Sequence, residues 1–369
     1  MRIIHFISSP CAGGAETYVR DLSIEMQKQG HSVHILFLQS ASESQRDARF
    51  ESDYLQCLLE NKISFSFVGK KARLKPWIGL LKLRREVRDF DANLVHCHLY
   101  YALFFSFFIF GVPIVYTHHS FKLGLPKIFY RVFDLKVSSY VAICSACHNL
   151  LSGNHRQIIQ INNAVSIGRI TPKLNKEGKE QDCVTFVFVG SLRAPKNLEL
   201  LLKSFAAVQG PKFRLLIVGE GDERERLEQL AHSVGIEKYV SFLGNRSNVD
   251  EIISASDCFV MSSAWEGLPI ALIEATLAGL PVVVTNVGGC AEIVHRCANG
   301  FVVDDLNVEA YSVALGKMLR DEGLRASFSK NAFEFSAEYE INVSVAKHLR
   351  LYESLNRGRR PPGPPWAAR

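Results

Sequence analysis

No stretch of this sequence supplies the ~20 continuous apolar residues that a helix needs to cross a bilayer. The nearest approach is 99–116, which holds Phe104, Phe105, Phe107, Phe108 and Phe110, but Gly111 and Pro113 divide it. It reads as a buried helix followed by a buried strand. No secretion leader is expected: the apolar run 3–7 passes straight into a Ser-Ser-Pro-Cys-Ala-Gly-Gly turn, too short for an h-region and without a cleavage pattern. The nine cysteines are odd in number and lie in apolar runs, as at Cys97, Cys183 and Cys258, which argues against a disulfide framework. Reduced thiols and a cytoplasmic location are expected. There is no one-sided charge either, since 43 basic against 37 acidic side chains leave only +6, too mild and dispersed for a nucleic-acid binder. The balance is uneven, with 20 basic and 12 acidic residues in 1–170 against 23 and 25 in 171–369. An anionic surface or acceptor should therefore meet the first half.

What is present is apolar material for two cores. The 369 residues, 47% of them hydrophobic, exceed twice the ~150 expected per domain. Short β-branched runs at 2–8, 33–38, 63–68, 94–97, 112–117 and 137–143 alternate with helical patterns. This is the βαβ rhythm of a parallel sheet covered on both faces. A polar stretch at 166–182 interrupts it and reads as a linker. The rhythm then restarts with strands at 184–189, 213–218, 240–243, 258–261 and 281–285. The spans predicted are an N-terminal domain 1–165, a C-terminal domain 183–340, a candidate crossover helix 341–356, and a disordered tail 357–369 with no apolar periodicity.

The chemistry concentrates at 263–275. Pro269 suits the first position of a helix, where its missing N–H costs nothing, so amides of Gly267, Leu268 and Ile270 should gather at a positive helix end, an anion site. Glu266 precedes this helix and Glu274 lies inside it, roughly 12 Å further on at 1.5 Å per residue. Carboxylates so far apart cannot flank one bond. They can hold the two ends of an elongated ligand with phosphates at the helix N-terminus, and a nucleotide-sugar has that shape. An ordinary helix with solvated glutamates is the plainer alternative.

The segment Ser263-Ala-Trp-Glu-Gly-Leu-Pro-Ile-Ala-Leu-Ile-Glu-Ala275, continued by Gly279-Leu-Pro-Val-Val-Val-Thr-Asn-Val-Gly-Gly289, resembles the E-x7-E signature of retaining glycosyltransferases of family 4. Gly13-Gly14-Ala15-Glu16, Leu94-Val-His-Cys-His98, Tyr116-Thr-His-His-Ser120, Asn162-Asn-Ala-Val165 and Val189-Gly-Ser-Leu-Arg-Ala-Pro-Lys-Asn197 are similar to further motifs of that family. The resemblance covers nearly the whole chain. It implies an α/β fold of the GT-B kind, two Rossmann-like doubly wound domains facing a central cleft. It also implies that Glu266 binds the sugar hydroxyls of the donor, Glu274 the ribose, and Gly267 and Leu268 the sugar or phosphates through their amides. Lys196 would neutralise the diphosphate leaving group, Gly14 would let its backbone approach that diphosphate, and His119 would line the reaction centre. The family's usual arginine falls on Ser191 here, and Arg193, shifted along the loop, is its candidate replacement.

On this reading the chain is a retaining hexosyltransferase that moves a sugar, UDP-linked by preference, onto a glycan or lipid-linked acceptor in envelope or extracellular polysaccharide synthesis. It needs no metal or cofactor. A nucleotide-sugar epimerase of similar fold and an inactive nucleotide-sugar-binding paralogue stay open as alternatives. The Cys144-Ser-Ala-Cys147-His148 pattern reads as core thiols and not as a haem site. Gly219-Glu-Gly221 reads as turn glycines, because Arg224 stands where a dinucleotide fingerprint needs its third glycine. The aspartates at 89, 91, 304 and 305 lie away from the anion site. At 70–88, eight basic residues stand against the lone Glu86 among Ile78, Leu80, Leu81, Leu83 and Val87. That composition suits a basic amphipathic helix on anionic lipid at the inner face of the plasma membrane, and equally a surface helix covering the sheet.

Overall fold

In a computed structural model of the protein, residues 1–44, 48–120, 122–152, 157–172, 183–208, 210 and 212–357 are described. The β-branched runs form thirteen strands among these residues, in two sheets. The first holds β1 (Arg2–Ile7), β2 (Ser32–Phe37), β3 (Ser64–Phe67), β4 (Leu94–Cys97), β5 (Ile114–His118), β6 (Ser139–Ala142) and β7 (Ile158–Gln160), in the order β3-β2-β1-β4-β5-β6-β7. The second holds β8 (Cys183–Val189), β9 (Lys212–Val218), β10 (Val240–Gly244), β11 (Cys258–Met261), β12 (Val282–Thr285) and β13 (Gly300–Val303), in the order β10-β9-β8-β11-β12-β13. Every pairing is parallel. β7 and β13 escape sequence reading because each is a short edge strand, too brief to build a periodic run.

The chain divides into two compact units, one of Met1–Asn163 with the chain from Ile341 onward, the other Ala164–Glu340. These are the two Rossmann-like halves of a GT-B fold. The helix Ile341–Asn356 therefore belongs with the first unit, where it lies against the helix Gly14–Lys28: Tyr18 and Ser344 share a hydrogen bond of 2.8 Å between their hydroxyls. Its apolar face is fully used, with Val345 and Tyr352 buried. Within the second unit, Phe186 stacks edge-on against Phe205, and the buried Leu315 and Met318 of the helix Val308–Arg320 complete that core. Positions 173–182 of the linker reading and 358–369 of the tail reading lie outside the described residues.

Each sheet reverses its strand order once, at β1/β4 in the first unit and at β8/β11 in the second. Loops leaving the carboxyl ends of the two strands at such a reversal diverge and open a crevice for ligand. The two reversals are where the chemistry-bearing residues gather.

Candidate functional site

In the second unit, the loop after β8 carries Arg193 and Lys196, and the loop after β11 carries Glu266. The two are stitched together: Ser262 donates its hydroxyl to the carbonyls of Lys196 and Asn197, and the Ala264 amide donates to Pro195 at 2.8 Å. Asn197 holds a left-handed φ of 48° that turns the chain into the helix Leu198–Ala207. Lys196 Nζ then lies 2.6 Å from Glu266 Oε1, which also accepts from Ser263 Oγ at 2.6 Å. Arg193, by contrast, is exposed, at the start of the 3-10 turn Ala194–Lys196.

The structure corrects one detail of the helix start. Pro269 is the N-cap, with extended ψ of 125°, and the helix runs Ile270–Leu277. Proline, lacking an N–H, fits either position, and helix ends shift by a residue on such small differences. Gly267 is engaged through its carbonyl by the Gly289 amide at 2.7 Å, and Leu268 is buried. Glu274, within the helix, pairs with Arg169 at 2.6 Å. Sequence reading missed Arg169, a lone arginine in a polar segment with no motif around it.

In the first unit, the helix Gly14–Lys28 begins with the exposed Gly14, capped by Gly13. Glu16 folds back from the first turn, accepting from Ser8 Oγ at 2.5 Å, and a Cβ on Gly13 would lie 2.2 Å from its carboxylate. His119, just past β5, donates or accepts at 3.0 Å with His98 Nδ1. His98 Nε2 in turn meets His5 Nδ1 at 2.9 Å. His5 and His96 are register partners on β1 and β4, and His98, the first residue past β4, lies two positions on from His96 with their rings 4.1 Å apart. His96 is held by Tyr352 Oη at 2.5 Å and Thr117 Oγ1 at 2.7 Å. Burial penalises the charged imidazole throughout this cluster, bringing His5 and His119 down to about 3 and His348 to about 4, with His96 and His98 well below the usual range. All five rings are neutral at pH 7. His5, His96 and His98 each offer a nitrogen within 4.8 Å of the others, a spacing within which a metal ion would be conceivable.

Two family models match end to end: Glycosyltransferase Family 4 over residues 12–169 and Glycosyl transferases group 1 over residues 170–335. The chain belongs to the family-4 glycosyltransferases. An uncharacterized glycosyltransferase of Methanocaldococcus jannaschii is 33% identical over 42% of this chain and 40% of its own length, so the chain matches less than half of that relative. The UDP-Gal:alpha-D-GlcNAc-diphosphoundecaprenol alpha-1,3-galactosyltransferase of Escherichia coli is 26% identical over 76% of this chain and 81% of its own. Among solved structures, Anabaena HepE in complex with UDP-glucose superposes with a TM-score of 0.79 over 96% of this chain and all of that one, at 19% identity.

The remaining sequence readings resolve simply in this glycosyltransferase. Cys144 and Cys147 are buried thiols, and the Cys147 amide donates to Cys144 Sγ at the start of the helix Ser145–Leu151. Gly219 and Gly221 are glycines because a Cβ on them would lie 1.9 Å from the Gly190 carbonyl oxygen and 2.2 Å from that of Leu192. They make room for the loop that carries Lys196. The stretch 99–116 is only half as expected: Ile114, Val115 and Tyr116 are buried in β5, but Phe104, Phe108 and Phe110 are exposed, Phe110 to 75%. The helix Tyr100–Ser106 ends before Phe108 and Phe110, which stand exposed in the turn and loop that follow it, while Phe104 sits on the partly uncovered side of the helix itself. Its neighbours add to the same surface. Leu74, Trp77 and Leu81 are exposed along the 3-10 turn Lys70–Arg73 and the helix Pro76–Asp89, as are Ile128, Phe129, Val132 and Leu135 on and after the helix Lys127–Phe133. Phe104 touches Phe133 with ring centroids 5.0 Å apart, and Gly79 lets the first of these helices sit directly on Phe105. No helix among the described residues is long and apolar enough to cross a membrane.

Proposed function

We propose that the protein is a retaining glycosyltransferase that takes a nucleotide-sugar, with UDP as the favoured base, and passes the sugar to a lipid-linked or glycan acceptor in polysaccharide synthesis. The observation that carries this reading is the pairing of Lys196 with Glu266 on loops from the two strands at the sheet reversal. A single ligand with an anionic and a hydroxylated end can engage both. Lys196 would meet the diphosphate, whose growing charge as leaving group is the main electrostatic demand of the reaction. Glu266 would accept from sugar hydroxyls and Glu274 from the ribose, while Gly267 and Leu268 would meet the sugar or phosphates. Gly14 and His119 are assigned to the diphosphate and the transferred sugar by family resemblance, as is retention of configuration. Arg193, exposed beside Lys196, is the second cation for the diphosphate. With these groups in place, metal-independent transfer is expected. The E. coli relative's lipid-linked acceptor and the UDP-glucose bound to the Anabaena structure support the substrate classes.

We also infer that the apolar surface of the first unit rests on anionic membrane, where a lipid-linked acceptor resides. Exposed aromatic and aliphatic side chains flanked by Lys70, Lys71, Lys75 and Arg84 form the amphipathic chemistry that binds such surfaces.

A screen of nucleotide-sugars by thermal stabilisation and slow donor hydrolysis tests the central reading. A ligand at 100 times its Kd should add about 2.7 kcal/mol of apparent stability. If no nucleotide-sugar stabilises the protein or is hydrolysed, the reading fails.

A further inference from the structure

Residues 8–13 connect β1 to the helix Gly14–Lys28 at the strand-order reversal of the first sheet. The loop is anchored in its middle, where Ser9, Pro10 and Cys11 are buried, whereas Ala12 and Gly14 are exposed. Glu16 is the third residue of the helix, the position from which a glutamate in a capping box reaches back to the amide of the cap residue. That bond is not made here. The amide of the cap residue Gly13 already donates to the Cys11 carbonyl at 3.0 Å. The Glu16 carboxylate goes further: Oε1 accepts from Ser8 Oγ at 2.5 Å, and Oε2 lies over Gly13. It therefore spans the loop from its first residue to its last.

This placement explains the glycine. Gly13 has an extended backbone, φ −142° and ψ 150°, which any residue adopts, so the turn itself does not demand a glycine there. The carboxylate does, because a Cβ on Gly13 would lie 2.2 Å from Oε2 and 3.0 Å from the Glu16 carboxyl carbon. Glu16 is only 8% exposed, and its backbone is pinned as well, since its carbonyl accepts from Tyr54 Oη of the helix Ala48–Glu60 at 2.8 Å.

We propose that Glu16 is a positioning residue: it clasps the two ends of the loop 8–13 and so fixes the exposed Gly14 backbone where the diphosphate of the nucleotide-sugar meets it. The proposal rests on the reading of Gly14 as the neighbour of that diphosphate. Glu16 acts through Gly14 and does not itself hold the ligand, because a carboxylate repels a diphosphate and its oxygens are turned to Ser8 and Gly13. Its charge also offsets the positive end of the helix dipole. What remains to hold a phosphate here is close backbone approach, and that depends on placement to within about an ångström.

The test compares the affinities for UDP and for uridine, by titration calorimetry, in Glu16→Ala, Glu16→Gln, Gly13→Ala and the double variant Gly13→Ala/Glu16→Ala. The atom that a new Cβ meets is the end of a side chain, so Gly13→Ala displaces the carboxylate and spares the fold. Glu16→Ala and Gly13→Ala should each weaken UDP about tenfold, the worth of one hydrogen bond to a charged group. Uridine, which has no phosphate, should bind as it does to the unsubstituted protein. Glu16→Gln can still accept from Ser8 and should recover most of the loss. Once Glu16 is alanine, Gly13→Ala should have no further effect, since residues in contact are not additive. Three results would each overturn the proposal: UDP affinity unchanged in Glu16→Ala, UDP and uridine weakened equally, which marks a damaged fold, or a Gly13→Ala effect that persists without Glu16, which marks a methyl against the ligand. Failure of the unsubstituted protein to bind UDP at all is a different outcome, and it would sink the reading of the donor as UDP-linked together with the proposal built on it.

Discussion

Lys196 Nζ and Glu266 Oε1 lie 2.6 Å apart although 70 residues separate them in the chain, because β8 and β11, neighbours in the sheet, deliver their loops to the same place. Removing the cation should expose its role directly. Lys196→Met is expected to lower kcat by about a hundredfold or more, the range for losing a group that stabilises developing charge. Glu266→Gln should weaken donor hydrolysis as well. Steady-state kinetics with the best donor from the nucleotide-sugar screen checks both, and unchanged kcat in Lys196→Met would remove it from the mechanism.

Glu274 and Arg169 make a separate pair at 2.6 Å. A hydrogen bond to a charged group is worth about 1.5–3 kcal/mol. Arg169→Met should therefore leave Glu274 poorly oriented and raise the KM for the nucleotide-sugar about tenfold, with kcat little changed. A fall in kcat at constant KM would place Arg169 in the chemical step instead.

Gly288 has a φ of +55°, and a Cβ there would lie 2.2 Å from the Glu266 carbonyl oxygen. Gly288→Ala is expected to cost about 1–3 kcal/mol through backbone strain, read as a lower unfolding midpoint, and to weaken donor binding by pushing Glu266 out of place. Wild-type stability and affinity in this variant would mean the turn is more forgiving than its contacts imply.

The buried histidines set a sign for pH dependence. His5 and His348 are held at about 3 and about 4 in the folded protein, so below the ordinary 6.5 the unfolded chain binds more protons. Stability should be flat above pH 7 and should fall as the pH drops from 6.5 towards 4, by up to about 1.4 kcal/mol per pH unit for each histidine titrating on unfolding. Urea unfolding at a series of pH values measures this, and His348→Gln should make the profile shallower. A slope of opposite sign would show that these rings are charged in the native state.

For the membrane surface, Phe108→Ser with Phe110→Ser and Leu135→Ser should reduce sedimentation with acidic vesicles, as should reversing Lys70, Lys71, Lys75 and Arg84 to Glu. Each basic residue near the lipid is worth about 1 kcal/mol. Binding should also fall with salt, since the Debye length shortens. Vesicle binding indifferent to salt and to both sets of changes would leave the surface with another partner.

The alternation of β-branched runs makes both sheets readable in the sequence, because buried parallel strands are continuous apolar runs. β7 and β13, short and at the edges, leave no such run. The residues of the second unit were readable where a local motif carries them: Glu266, Gly267 and Lys196 stand on loops whose glycines and prolines mark the turns. Arg169 was not, since its meaning comes from Glu274, far away in sequence. The buried histidines lie in between. His96 and His98 were visible as a pair at the end of one strand, but His5 and His348 join them only through sheet register and through the packing of a distant helix. Nor does composition reveal that Phe104, Phe108 and Phe110 are exposed, since an apolar run looks the same from the sequence whether its side chains are covered or not.

The helix Ile341–Asn356 has a consequence in time. Its Tyr352 holds His96, and its Ser344 holds Tyr18, 326 residues earlier. During synthesis every strand of the first unit emerges from the ribosome before this helix exists, and the whole second unit is made in the interval. The second unit, continuous in sequence, can finish folding as soon as it is out. The first must wait with its histidine-bearing face uncovered until the last helix arrives, so the half that starts first is the half that is sealed last.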